Sequence, residues 1–350
     1  MSYSIYKTGK DGINEFYSSL IGKFDTYAPV ENFGVFRYKK VTNLADCNPD
    51  PPIKATMSIK PLFLPQTSEI IRYSEDSEGV HLKPLTKDPY EDFKVIIGVR
   101  PCDAQGMKVL EKVAKWDFED EDFLKRKENS IIISTLCTKP ENSCFCTSLD
   151  YDIETSDASD IVVISAGQDV LVKASSEKGE KFLSENKGNL QKVDGAEDLV
   201  HASFEEFKKA VPNKLSYKEI QEKLQQAFDS GEFDLAAQNC LGCNACAYIC
   251  PTCHCFKVSD EKIKDCGVRY KCYDSCQSKY FTQMAGGHNP RPVKFRRWRQ
   301  RIMHKFVYYK ERFGVNLCIG CGKCTNFCPV HEGIFKVVND IVSKSKEEVK

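Results

Sequence analysis

"CLGCNACAYICPTCHC" (240–255) places six cysteines in sixteen residues, and "CIGCGKCTNFCP" (318–329) repeats the first part of its spacing. The first reads Cys240-x2-Cys243-x2-Cys246-x3-Cys250-Pro251 and the second Cys318-x2-Cys321-x2-Cys324-x3-Cys328-Pro329. This is the spacing of bacterial ferredoxin cluster loops. A tight loop lets three thiolates converge on three irons of a cubane, with backbone N–H groups pointing at its sulfides. The fourth cysteine lies beyond the loop and points away, so crossed ligation is expected. Cys240, Cys243, Cys246 and Cys328 would hold one [4Fe-4S] cluster, and Cys318, Cys321, Cys324 and Cys250 the other. Structural zinc is the alternative, but it usually pairs two CxxC units instead of a run of CxxCxxCxxxCP.

The rest of the composition agrees with metal chemistry. The 350 residues contain 18 cysteines, 41% hydrophobic residues, and 50 basic against 50 acidic side chains. That length allows two domains, and the balanced charge gives no global bias toward nucleic acid or membrane. The start, "MSYSIYKTGKDGINEF", lacks an apolar core, and no apolar run approaches the roughly 18 residues of a membrane span. A soluble, cytoplasmic chain is expected, in which thiols stay reduced and disulfides are disfavoured.

In compact ferredoxins the two loops lie close together in sequence. Here 67 residues separate Cys250 from Cys318. They read as short helices, so the expectation is an all-α, helical-ferredoxin-type domain over 213–350. Residues 295–313 predict one long amphipathic helix, with Trp298, Ile302, Phe306, Tyr309 and Phe313 on a stripe. Ser216 and Glu219 form a capping box ahead of a helix from about 217. The tail "KSKEEVK" (344–350) is expected to fray.

Residues 1–212 read as an α/β domain. "FKVIIGV" (93–99) and "SIIIS" (130–134) are buried strands joined by a helix, a βαβ unit with a right-handed crossover. "DIVVISAGQDVLVKAS" predicts a hairpin turning near Gly167. Cys102 opens the helix after the first strand, where a thiol is a ready ligand. Cys137 leaves the second strand on the same sheet edge, where open α/β sheets bind ligands. "CFC" (144–146) follows. Cys102, Cys137, Cys144 and Cys146 therefore form a candidate third cluster site, the alternative being packed thiols. Cys253, Cys255 and Cys276 either pack or line a further site.

No GxGxxG, Walker or HExxH motif occurs, so no recognisable fingerprint binds NAD or flavin. Clusters pass single electrons whereas NAD(P)H gives a hydride, so a partner must split electron pairs. The stretch "HNPRPVKFRRWRQRIMHKFVYYKER" (288–312) holds nine basic residues and one Glu. It could suggest nucleic acid, but the interleaved aromatics keep a helical stripe better explained as core, so it reads as an acidic-partner or cluster-tuning face or as a plain solvated face, and no nucleic-acid partner is expected.

Motifs along nearly the whole chain carry a resemblance. "KPLFLPQTSEII" (60–71), "GVRPCD" (98–103), "CTKPENSCFCTS" (137–148), "CPTCHCF" (250–256), "DSC" (274–276), "FTQMAGGHNPR" (281–291) and "RQRIMHKFVYY" (299–309) resemble the iron–sulfur β subunit of cytoplasmic sulfhydrogenases. That family includes the A subunit of anaerobic sulfite reductase. The resemblance implies an electron relay between a flavin subunit handling NAD(P)H and a terminal catalytic subunit of a soluble anaerobic complex. The N-terminal domain would dock the flavin subunit. It supports Cys102, Cys137, Cys144 and Cys146 as one set, and Cys253, Cys255 and Cys276 as another. Tyr273 stands where Trp is common in the family, and Cys266 and Cys272 are particular to this chain. Two rival functions are reduction of sulfur or sulfite by the chain itself, and a cluster-bearing nucleic-acid binder.

Overall fold

β-Branched runs build the larger of two sheets in the computed structural model, which describes residues 3–84, 92–149 and 151–347. In chain order the strands are β1 (Ile5–Thr8), β2 (Asp25–Asn32), β3 (Val35–Val41), β4 (Thr67–Asp76), β5 (Gly79–Lys83), β6 (Lys94–Val99), β7 (Ser130–Thr135), β8 (Ile161–Ala166), β9 (Asp169–Ala174), β10 (Gln191–Val193), β11 (Phe256–Ile263) and β12 (Cys266–Tyr273). Eight of them form the order β10-β1-β9-β8-β7-β6-β2-β3. Its centre, β2-β6-β7-β8, is parallel, and the flanking pairs are antiparallel.

Both faces of this centre are covered, which explains why β6 and β7 are apolar without alternation. Val95, Ile97, Ile131 and Ile133 pack with Phe16 and Leu20 of the helix Lys10–Lys23. Ile96, Val99 and Ile132 face the other way, onto Met107 and Leu110 of the helix Pro101–Ala114. The expected βαβ unit and the 161–174 hairpin are present. At the carboxyl end of β6 the ladder is irregular and Gly98 has φ 69°. A Cβ there would lie 2.6 Å from the Pro49 carbonyl oxygen, so the position requires glycine.

The all-α expectation for 213–350 needs correction. β11 and β12 form a hairpin between the two ferredoxin-type loops, and β12 pairs with β4, giving a second sheet β11-β12-β4-β5. The hairpin turns at Lys264, which adopts φ 53°. Its strands carry charges on both faces and its turn lacks the Asn-Gly or Asp-Gly signal. The pairing with β4, almost two hundred residues earlier, supplies what local pattern does not. The sheet therefore takes strands from both sides of residue 212.

The long amphipathic helix is present with a change in winding. Lys294–Met303 and Tyr309–Phe313 are α-helical, and His304–Tyr308 between them is a π turn. The Lys305 carbonyl accepts from the N–H groups of Leu317 and Cys318, drawing that turn toward the second cysteine loop. Trp298, Ile302, Phe306 and Tyr309 are buried as expected, and Phe313 is half-buried. Ser216 caps the helix Tyr217–Gln226 through the Glu219 N–H. Residues 344–347 continue the helix Ile334–Glu347 instead of fraying, and 348–350 lie outside the described residues.

The two cysteine-bearing parts meet at backbone level. The Phe145 N–H donates to the Gly320 carbonyl at 2.9 Å, and the Tyr151 hydroxyl donates to the Ile319 carbonyl. Gly320 has φ 64°, and a Cβ on it would sit 2.5 Å from Cys146 Cα. Gly320→Ala should lower stability by about 3 kcal/mol or more through strain and overpacking. Gly188→Ala, at φ 55° with open space around it, should cost only about 1–2 kcal/mol. Denaturant titration of the two variants checks the contrast.

Candidate metal centre

Each ferredoxin-type loop folds around short helical turns entered through left-handed residues. Asn244 (φ 64°) precedes Ala245–Tyr248, and Gly322 (φ 72°) precedes Lys323–Asn326. Gly242 and Gly320 also have positive φ, at 71° and 64°. Such turns aim successive backbone N–H groups into a concavity that favours anions.

The fourth cysteine of each run lies at the other loop. Cys240, Cys243, Cys246 and Cys328 line one cavity, with Trp298 and Gln277 beside them. Cys250 stands near enough to Cys318 and Cys321 that its charge adds to the upward push that burial gives both thiols. Cys324 acts on Cys318, Cys321 and Cys246 alike, so the two loops adjoin.

The N-terminal four also come together. Cys102 begins the helix after β6, Cys137 follows β7, and Cys144 and Cys146 sit in the loop that touches Gly320. Cys102 is influenced by Cys321, Cys137 and Cys146, and Cys146 by Cys144 and Cys137. Burial pushes Cys137 up to about 11 and Cys146 up to about 12, so each strongly prefers a neutral or metal-bound form.

Cys253 and Cys255 follow the first loop, and Cys276 follows β12. Cys266 is exposed at the hairpin tip and lies six residues, roughly 20 Å, along β12 from Cys272. Cys47 sits apart, bonded to the Leu44 carbonyl at 3.4 Å. Tyr273 donates to the Leu64 carbonyl and offers its ring to Lys60 Nζ at 4.5 Å.

What the sequence did not single out is a set of buried cations around these thiols. Lys54, Lys60, Arg100, Arg297, Arg301, Lys305 and Lys323 are each at most 9% exposed. Among the described residues the buried acids are Asp103, Asp160 and Glu332. Lys54 Nζ lies 3.1 Å from Cys144 Sγ and 2.6 Å from the Cys321 carbonyl, bridging the N-terminal set and the second loop. Lys305 Nζ is 3.3 Å from Cys250 Sγ and 3.1 Å from Thr252 Oγ1. Arg301 donates to Cys253 Sγ at 3.2 Å and to the Cys246 carbonyl at 2.7 Å. Lys323 pairs with Asp103 at 3.1 Å, both fully buried.

Burial alone would drive these cations toward neutrality. For Lys305 and Arg301 the neighbouring thiol groups outweigh it and hold the charge on, and for Lys54 the Cys144 thiol does so together with the Glu141 carboxylate 3.3 Å away. Arg301 and Lys305, four residues apart on one helix, face sulfur and not solvent or nucleic acid, whereas Arg297, one step earlier, donates to the carbonyls of Gln277, Arg291 and Pro292. The lysines of "IKATMSIKPLFL" (53–64) carried a usable signal: charges set in an apolar run.

These donors fit iron–sulfur clusters better than zinc. Tetrahedral zinc, with Zn–S of about 2.3 Å, needs sulfurs about 4 Å apart. The one trio of potential ligand atoms within 4.8 Å among the described residues is Glu154, His201 and Glu205, none of them a thiol. A cubane places each thiolate on a separate iron, and its net negative charge matches the cations.

A family profile described as a 4Fe-4S dicluster domain matches residues 239–332, which contain both loops. The sulfhydrogenase 2 subunit beta of Pyrococcus furiosus is 32% identical over 332 residues, covering 93% of this chain and 95% of that one. The chain belongs to the sulfhydrogenase beta-subunit family. Its iron–sulfur character, expected from two cysteine runs, thus extends to a relationship along almost the entire chain. No helix among the described residues is long and apolar enough to cross a membrane.

Lys305→Met should retain the fold's apolar volume while removing a buried charge from Cys250. At an effective dielectric of about 20, one charge several ångströms from a cluster is worth about 2–3 kcal/mol. A cluster held by Cys250 should then fall in potential by on the order of 100 mV. An EPR-monitored redox titration reads this directly, and an unchanged potential would refute the tuning role.

Proposed function

We propose that the chain relays single electrons between a flavin subunit that handles NAD(P)H and a terminal redox subunit. The hydrogenase subunit name of the relative supports the terminal partner's class. The observation that carries the reading is the convergence of three cysteine sets on one another through buried cations. When bound, the clusters supply one-electron storage. The chain's part is to hold them close, shield them and set their charge environment.

The ligand sets proposed are Cys240, Cys243, Cys246 and Cys328 for one [4Fe-4S] cluster, and Cys318, Cys321, Cys324 and Cys250 for the second. Cys102, Cys137, Cys144 and Cys146 would hold a third. Lys54 and the Phe145–Gly320 hydrogen bond lie between the third set and the second loop. This favours an order in which electrons enter at the N-terminal site, pass to the second loop and then to the first. The division into an N-terminal docking region, 1–212, and a cluster-bearing region, 213–350, follows the same order.

Two experiments test this. Cys250→Ala should damage the cluster held by Cys318, Cys321 and Cys324, and spare the cluster of its own run. EPR or resonance Raman signatures showing loss of the near cluster alone would overturn crossed ligation. Cys102→Ala in the full-length protein should remove about four irons, the content of one cubane. It should also slow reduction by NAD(P)H through the flavin partner while leaving reduction by dithionite intact. Unchanged iron would leave the N-terminal thiols as packed side chains.

A further inference from the structure

The cavity between Cys240, Cys243, Cys246 and Cys328 has a wall that is not cysteine. Trp298, on the helix Lys294–Met303, lines it together with Gln277 and Glu332. Trp298 is 2% exposed, and its indole Nε1 is buried without a hydrogen-bond partner among the described residues. An indole nitrogen can only donate, and a buried one usually finds an acceptor. Left unpaired, the N–H costs its full desolvation.

The two polar side chains beside it do not meet that need. Gln277 Nε2 donates to the Arg297 carbonyl at 2.7 Å, which fixes its amide. Glu332 Oε1 accepts from Asn239 at 3.2 Å and from Lys336 at 2.9 Å. Its Oε2 is a second buried atom without a partner, so the two orphans line one cavity and do not bond each other. The acceptor for Trp298 must come from what the thiols hold.

The cations around this loop leave the same gap. Lys294 donates to the Cys240 carbonyl at 2.6 Å, and Arg301 to the Cys246 carbonyl at 2.7 Å. The Gly242 N–H donates to Cys240 Sγ at 3.3 Å. At the second loop, by contrast, Lys305 reaches Cys250 Sγ directly. Trp298 is thus the uncommitted side-chain donor of the first loop, and its ring packs in one core with Cys240.

We propose that Trp298 donates its indole N–H to a sulfur atom of the cluster held by Cys240, Cys243, Cys246 and Cys328, and so raises that cluster's reduction potential. The proposal rests on the iron–sulfur reading above and adds a tuning donor to it. Hydrogen bonds to cluster sulfurs are one of the levers on potential. They strengthen as the acceptor gains negative charge, so they favour the reduced form.

The test uses the full-length protein prepared anaerobically, with tryptophan carrying the heavy nitrogen isotope at the indole position. The chain has two tryptophans, and Trp116 lines a separate cavity with Arg312 and Phe313. Pulsed EPR of the dithionite-reduced protein should show a coupling to the labelled nitrogen. Trp116→Phe should keep that coupling and Trp298→Phe should lose it. Cys240→Ser should remove it, whereas Cys318→Ser should not. In a redox titration, Trp298→Phe should lower the ratio of reduced to oxidised first-loop cluster at a fixed potential. The fall should be about fivefold, the weight of one ordinary hydrogen bond. The second-loop cluster should titrate as in wild type.

Wild type that shows both cluster signals but no coupling overturns this proposal and leaves the electron-transfer reading in place. An unchanged ratio in Trp298→Phe at full iron content does the same. So does a coupling lost in Cys318→Ser and kept in Cys240→Ser, because the donor would then serve the other cluster. If Trp298→Phe does not fold, the coupling in wild type and in Trp116→Phe decides the matter. Wild type without ferredoxin-type signals sinks the electron-transfer reading, and this proposal with it.

Discussion

A buried positive charge needs a buried negative one, and in this protein that requirement links the sulfur sites to the fold. Lys54, Lys60, Arg301, Lys305 and Lys323 come from distant parts of the sequence and end on thiols, cysteine carbonyls, a buried aspartate or, for Lys54, also the Glu141 carboxylate. Removing several charges from water is costly, by several kcal/mol per ion even after relaxation. The arrangement is stable only where anions of comparable charge sit among the cations. Cysteine-ligated clusters meet that condition, and neutral thiols do not.

The same constraint explains why the chain is not two independent halves. Lys54 belongs to the N-terminal part but donates to the Cys321 carbonyl in the second ferredoxin-type loop. Lys323 belongs to that loop but pairs with Asp103 at the start of the helix after β6. β12 completes a sheet begun by β4 and β5. Such ties fix the separation between sulfur sites, which governs electron hopping far more than any single contact does. The π turn at His304–Tyr308 fits here too. It joins a helix that must bury Trp298 and Phe306 on one side while sending Arg301 and Lys305 toward sulfur on another.

The basic stretch at 288–312 shows how charge in sequence can mislead. Nine cations over so short a run could suggest a polyanion surface, although the aromatic stripe already argued for a core helix. In the folded chain Arg297, Arg301 and Lys305 are internal, while Arg299 stacks on Phe228 at 4.0 Å. A periodicity of four among the basic residues, offset from the apolar stripe, was the readable sign that the helix has two buried faces.

The sequence by itself determined the cysteine runs, the strands β6 and β7, the Ser216 cap and the helix over the 295–313 stripe. These follow from local spacing and periodicity, which fix chemistry and element type without distant partners. The β11–β12 hairpin was not legible, because its strands are half-charged and draw their stability from pairing with β4. Nor were the roles of Lys54, Lys60 and Lys323, since burial of a lysine is decided by what the rest of the chain packs over it. The convergence of Cys102, Cys137, Cys144 and Cys146 stood between these cases. Parallel strands bring Cys102 and Cys137 to one edge by rule, but only the tertiary contact at Gly320 brings Cys144 and Cys146 beside the second loop, because a glycine there lets two backbones approach where any side chain would hold them apart.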